Sequence, residues 1–190
     1  MPSRAVIAFV FAMMVSAQSL ADIPPERLTV LLARALAYDA KLKERAGASV
    51  DVAVLYRPTD ATGQATAQRI AAAFNSLSDL RLMGLALHAV AVAYTGSEAL
   101  TASIKASSFD EVFLVGAFEG ERERVRKVCD PLHVLTLAAA RADAEAGIAL
   151  AVDDHDGKPS IFVNVESSKA AGAQLASGLL RLAILIKGAQ

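Results

Sequence analysis

Apolar residues recur along this chain in two alternating rhythms. From Glu26 to Ala46, behind Pro24 and Pro25, residues Leu28, Leu31, Leu32, Ala35, Leu36 and Leu42 return to one face at helical spacing, and Gly47 closes the run. VDVAVLY, residues 50–56, is short and β-branched and reads as a strand. Pro58 and Gly63 mark a loop before a second helical pattern near Ala65 to Leu77. The unit then repeats. LALHAVAVAY predicts a strand around residues 85–94, Thr95 to Ser97 a turn with a helix cap, and Glu98 to Ser107 a short helix. EVFLVGAF predicts a strand before a charged helix from Glu119 to Val128; HVLTLA, residues 133–138, predicts another before a helical turn near Ala140 to Ala146. GIALAVDDHDGKPSIFVNV breaks the rhythm with two strands joined by the turn Asp153 to Pro159, and a terminal helical region follows.

The strands are apolar at nearly every position instead of every second one, which a parallel sheet covered on both faces requires. The expected fold class is therefore α/β: three layers, a mostly parallel sheet of about six strands with helices on both faces, and a C-terminal antiparallel hairpin. At 190 residues, 54% hydrophobic and 21% charged, the chain has material for one core. No linker or repeat divides residues 22–190, which are read as a single domain. The formal net charge of −1 supplies no field for gathering phosphates, so nucleic acid is excluded as the expected partner.

Residues 1–21 predict a signal peptide. Met1 to Arg4 is a positive n-region, AVIAFVFAMMVSA an apolar h-region, and Ser19-Leu20-Ala21 a small-residue cleavage site. The apolar run is shorter than the ~20 residues that span a bilayer, and no cysteine follows it to carry a lipid. The expected location is periplasmic. Cys129 is the single cysteine, so no intrachain disulfide can form, and its place after Val125 and Val128 reads as burial at the end of a helix.

The motifs of catalysis are missing. No GxGxxG or GxxxxGK[ST] loop follows a strand, no GxSxG elbow occurs, and His88, His133 and His155 are far apart in sequence. No cofactor is expected, and the chain is read as a binding protein and not an enzyme. Asp153, Asp154, His155 and Asp156 could grip a cation, but the spacing is not that of an EF-hand and a polar hairpin turn explains them. His88 and His133 are read as structural, and ERERVRK, residues 121–127, as a solvated helix face. In doubly wound sheets ligands sit outside the carboxyl ends of the parallel strands. Here those loops are Arg57 to Gly63, Tyr94 to Ser97 and Gly116 to Glu119, which makes Arg57, Asp60, Tyr94, Thr95, Ser97 and Glu119 the ligand-binding candidates, for a small charged or zwitterionic molecule.

The tail carries the most specific pattern. SIFVNV ends in Asn164, suited to capping the helix that follows, and Gly172 and Gly178 leave open whether residues 166–187 form one helix or two. Leu175, Leu179, Leu182 and Ile186 would form one apolar stripe, widened by Leu180 and Ile184, so a homodimer or partner surface is expected as readily as burial. A Gly-rich hairpin, a strand finishing in Asn, an Ala/Gly helix and LLRLA together resemble the carboxyl-terminal signature of the YfiR-like (YfiR/HmsC) family of exported bacterial proteins. The matching positions are Gly147, Gly157, Phe162, Asn164, Gly172, Leu179, Leu180, Arg181, Leu182 and Ala183. The chain departs from that family in having no Trp, in ending its first helix as AYDAKLKERAG, and in lacking a cysteine pair. The resemblance implies a periplasmic, often dimeric α/β protein that restrains a membrane-bound signalling protein through its periplasmic sensor domain. That partner is a diguanylate cyclase, whose cyclic di-GMP output it would lower, or a histidine kinase. The alternative is a small-ligand receptor like those of transporters or sensor kinases.

Overall fold

The computed structural model describes residues 23–77, 82–116 and 118–187. The expected signal peptide lies outside them. The chain runs α1 (Pro25–Leu36), α2 (Leu42–Ala46), β1 (Ser49–Tyr56), α3 (Ala61–Asn75), β2 (Ala86–Ala93), α4 (Ser97–Ser107), β3 (Glu111–Leu114) and α5 (Arg122–Cys129). After the 3-10 turn Asp130–Leu132 come β4 (Leu135–Ala138), α6 (Arg141–Glu145), β5 (Leu150–His155), β6 (Lys158–Asn164), α7 (Val165–Ala170), α8 (Ser177–Leu182) and β7 (Ile184–Ile186).

The strands form one seven-stranded sheet in the order β2-β1-β3-β4-β5-β6-β7. Every neighbouring pair is parallel except β5 with β6, the expected hairpin. Its register, with His155 opposite Lys158, leaves Asp156 and Gly157 as a two-residue turn, both at positive φ (54° and 77°) as a type I′ turn needs. Gly supplies one of those conformations freely, and Asp is among the residues that tolerate the other.

Burial on both faces explains the unbroken apolar runs of the central strands β1, β3 and β4. On β1, Val50, Val52 and Val54 enter a core under α1 and α3, while Ala53 and Leu55 enter a second core under α4, α5 and α6. Phe74 meets Phe113 edge-on in the first; Phe118, Phe162 and Cys129 fill the second. Cys129 is fully buried, and burial pushes its thiol far above the ordinary range, so it serves as a small hydrophobe.

Several boundaries differ from the sequence reading. The single helix expected over Glu26 to Ala46 is two, broken at Ala37 to Lys41, because Asp39 turns inward to bind other backbone instead of continuing the helix. The strand EVFLVGAF stops at Leu114, since the chain turns at Gly116 (φ 80°). Helix α3 begins before Gly63, which therefore lies in its first turn and not in a loop. The terminal region is two short helices and a strand: Gly172 adopts φ 79° between them, and β7 adds a seventh strand beside β6. The expected apolar stripe is thereby broken up, with Leu179 buried and Leu182 in solvent. His88 and His133, read as structural, are both exposed.

Candidate functional site

The strand order reverses direction between β1 and β3: from β1 the chain crosses outward to β2, then returns past β1 to β3. Loops leaving β1 and β3 diverge at such a point and open a crevice. A cavity of about 380 Å³ occupies it, within the range of small-molecule sites. Asp60, Arg69, Asp153 and Asp154 supply its charged groups, and Ile23, Leu28, Ile70 and Val115 its apolar wall.

Each polar group has a local reason to be there. Asp60 is the N-cap of α3, its Oδ1 accepting the Gly63 N–H at 2.8 Å. Its Oδ2 lies 3.2 Å from where a Cβ on Gly116 would stand, so a side chain at 116 would crowd the carboxylate. Arg69 lies two turns further along α3, with Thr62 and Thr66 on the same side. Asp153 and Asp154 close β5: Asp153 accepts the Arg141 N–H at 2.8 Å and the Asp154 N–H at 2.7 Å, while Asp154 accepts the Gly157 N–H at 2.9 Å. These bonds hold the three carboxylates at the cavity wall. Among the described residues no three His, Cys, Asp or Glu side chains gather as metal ligands would.

The six sequence candidates do not converge on one site. Asp60 lines the switch-point cavity. Arg57, Tyr94 and Thr95 line a neighbouring one of about 330 Å³, together with Glu121 and Arg124. There Tyr94 donates its hydroxyl to Glu121 Oε2 at 2.9 Å, and Arg124 Nη1 donates to Glu121 Oε1 at 2.8 Å. Burial, and then the Glu121 carboxylate, raise the Tyr94 hydroxyl above its ordinary range. Ser97 is the first residue of α4, one place beyond the N-cap Gly96. Glu119 lines neither cavity and pairs with Arg122 at 3.5 Å. Arg69 is not singled out by the sequence, and Asp153 and Asp154 are weighed there as a cation grip and assigned to a hairpin turn; the Thr62, Thr66, Arg69 spacing was the unused signal.

Of the family-motif positions, Gly157 lies in the β5–β6 turn beside Asp154, at the cavity end of the sheet, while Asn164 lies at the opposite end of β6. Asn164 caps α7, accepting the Ser167 N–H at 3.0 Å, and donates to the Ala144 carbonyl at 3.0 Å, tying α7 to α6. Gly147 (φ 103°) lies against Arg126, and Gly172 against His133. Phe162 and Leu179 are buried, Leu180 and Ala183 are half-buried, and Arg181 and Leu182 are exposed.

Near that end lies a buried ion cluster. Arg45 Nη2 reaches Asp39 Oδ2 at 2.9 Å and Glu111 Oε1 at 3.0 Å, both carboxylates being fully buried. Arg45 Nη1 donates to the His133 carbonyl at 3.0 Å, while Arg45 Nε and Glu111 Oε2 have no partner. One cation against two carboxylates in a dry site favours retention of a proton. Burial, outweighing Arg45, lifts Glu111 to about 8; burial also lifts neighbouring Asp110 to about 6, against the bond it accepts from the Asp51 N–H.

No family model matches the chain, and no curated protein matches it in sequence. The fold recurs among solved structures. An ABC domain from Streptococcus pneumonia in complex with L-Trp superposes with a TM-score of 0.58 at 11% identity, over 86% of this chain and 62% of that one. A conserved domain protein from Vibrio cholerae O1 biovar El Tor gives 0.56 at 14%, over 86% and 60%. The ligand-free, open structure of a substrate binding protein with adhesive properties from Clostridium difficile gives 0.55 at 13%, over 78% and 58%. The chain thus spans less than two thirds of each neighbour's length. At these identities the shared property is the three-layer α/β fold.

Proposed function

We propose that this protein is a non-enzymatic binding protein of the periplasm that takes a small polar or zwitterionic molecule in the cavity at the β1/β3 switch point. The observation that carries this reading is the cavity itself: it lies where such sheets bind ligands, and it sets an apolar wall beside Arg69, Asp60 and Asp153. An ammonium group would meet the carboxylates and a carboxylate Arg69. Two neighbours of the same fold are a structure holding L-Trp and a substrate binding protein, which supports the reading and puts tryptophan first in a screen. A thermal-shift screen over amino acids and small polar metabolites tests it. A ligand at 100 times its Kd stabilises the folded state by about 2.7 kcal/mol, and Arg69→Ala, on an exposed helix position, should abolish that shift without lowering the unliganded Tm. A flat screen, or a shift that survives in Arg69→Ala, overturns it.

A second reading follows the YfiR-like tail: a regulator that binds a membrane signalling protein through its carboxyl-terminal region. It is favoured by Leu182 and Leu185, large apolar side chains left in solvent on α8 and β7. No helix among the described residues is long and apolar enough to cross a membrane, so such a regulator would reach the membrane through its partner or through residues outside those described.

A further inference from the structure

The cavity at the β1/β3 switch point holds more negative charge than a simple zwitterion would answer. Three carboxylates, those of Asp60, Asp153 and Asp154, line it against one guanidinium, that of Arg69. The carboxylates are half-buried and Arg69 is exposed, so water screens the acidic groups less than the basic one. Among the described residues none of the four belongs to an ion pair. Nearby cations turn elsewhere. Arg141 gives Asp153 its backbone N–H, but its guanidinium pairs with Glu145 at 2.7 Å and lies over the Phe162 ring at 5.6 Å. His155 faces Asp156 at 3.7 Å. The N–H groups that hold Asp60, Asp153 and Asp154 are neutral and cancel no charge.

The carboxylates are not arranged for a metal ion, since no three His, Cys, Asp or Glu side chains among the described residues gather as ligands. They are spread out. Asp60 stands at the start of α3 and Arg69 beyond its middle, roughly 13 Å along the helix axis at 1.5 Å per residue, while Asp153 and Asp154 come from the second half of β5. An α-amino acid with a neutral side chain presents one ammonium and one carboxylate on a single carbon. Bound to Arg69 and one aspartate, it would leave two carboxylates uncompensated in a crevice whose apolar wall of Leu28, Ile70 and Val115 strengthens their field. A second cation on the ligand, carried on an aliphatic stem, answers both the surplus charge and the wall.

We propose that this cavity selects basic α-amino acids: the α-carboxylate meets Arg69, and the α-ammonium and the side-chain cation are shared among Asp60, Asp153 and Asp154. This rests on the cavity being the ligand site, and narrows the ligand from any small zwitterion to one with a net positive charge. The probes are L-arginine, its uncharged analogue L-citrulline, agmatine, which lacks the α-carboxylate, L-tryptophan and calcium chloride, each titrated into the purified protein by calorimetry. A hydrogen bond to a charged group is worth about tenfold or more in affinity. We therefore expect L-arginine to bind about tenfold or more tighter than L-citrulline, agmatine or L-tryptophan, and to weaken by about as much in Asp154→Asn. Asn keeps an oxygen for the Gly157 N–H. Should Asp154→Asn misfold by circular dichroism, Asp60→Asn, which keeps a helix cap, takes its place. Arginine binding that the Asn variant leaves unchanged lies outside the cavity and overturns the proposal. So does agmatine binding as tightly as arginine, or a calcium ion that wild type binds and Asp154→Asn does not, which would assign the carboxylates to a metal. If L-tryptophan or L-citrulline binds as tightly as L-arginine and Arg69→Ala abolishes that binding, the charge selection falls while the cavity reading stands. If none of the organic probes binds, the charge selection falls, and the cavity reading is decided by the wider metabolite screen.

Discussion

Asp39 shows how much one side chain can join. It is fully buried, and its Oδ1 accepts the Lys41 N–H at 2.9 Å and the Gln174 N–H at 2.7 Å while Oδ2 holds Arg45. The neighbouring backbone completes the seam, with Ala40 N–H donating to the Gln174 carbonyl and Ala176 N–H to that of Tyr38. The bend between α1 and α2 is thus fastened to the segment between α7 and α8. Removing one partner of a buried ion pair typically costs about 3–5 kcal/mol, because the other charge is stranded. Asp39→Ala should therefore lower the urea-unfolding free energy by about that much. Asp39→Asn, which keeps an acceptor for the two amides, should lose less, and a loss below about 1 kcal/mol in Asp39→Ala would show that the cluster relaxes around the gap.

A sheet edge offers unpaired backbone groups, and at β2 the Asn75 side chain behaves as a substitute strand: its Nδ2 donates to the Ala89 carbonyl at 2.9 Å and its Oδ1 accepts the Ala89 N–H at 2.8 Å. Asn75→Ala removes both hydrogen bonds to Ala89, each worth about 1 kcal/mol net, and reopens an eight-residue edge rich in Ala and Val. The expected result is about 1–2 kcal/mol lower stability together with concentration-dependent light scattering on mild heating. Unchanged scattering would mean that the β2 edge is harmless without its amide. Strands β1, β3 and β4 were legible in sequence because burial on both faces leaves short apolar runs, and β2, β5 and β6 because apolar stretches there are bounded by turn residues; the i→i+3 and i→i+4 pairs Glu121–Arg124 and Glu123–Lys127 were legible because helical spacing is local. β7 was not, since three apolar residues inside a longer apolar stretch have no period of their own. The bend at Asp39 was hidden for another reason: its partner Gln174 is 135 residues away. Asp60 was legible as a polar residue in the loop after β1, whereas Arg69, Asp153 and Asp154 become its neighbours only through the sheet order.

For the molecule as a whole, the buried cluster sets a pH dependence that a protein of net charge −1 would not otherwise suggest. Glu111 titrates near 4.5 when exposed and at about 8 here, so between those values the folded state holds a proton that the unfolded chain has released. Stability therefore falls as pH rises: Glu111's contribution is fully present below about 4.5 and gone above about 8, and Asp110 adds the same trend between about 3.8 and 6. The slope is on the order of 1 kcal/mol per pH unit for each proton. Urea midpoints should accordingly decline from pH 5 to pH 8. Glu111→Gln keeps an oxygen for Arg45 but has no proton to lose, so its curve should be flatter and should cross above that of the wild type on the alkaline side. A wild-type midpoint that holds level from pH 5 to 8, or a Gln variant with the same decline, would mean that Arg45 keeps Glu111 ionised and that the orphaned Oε2 carries no proton.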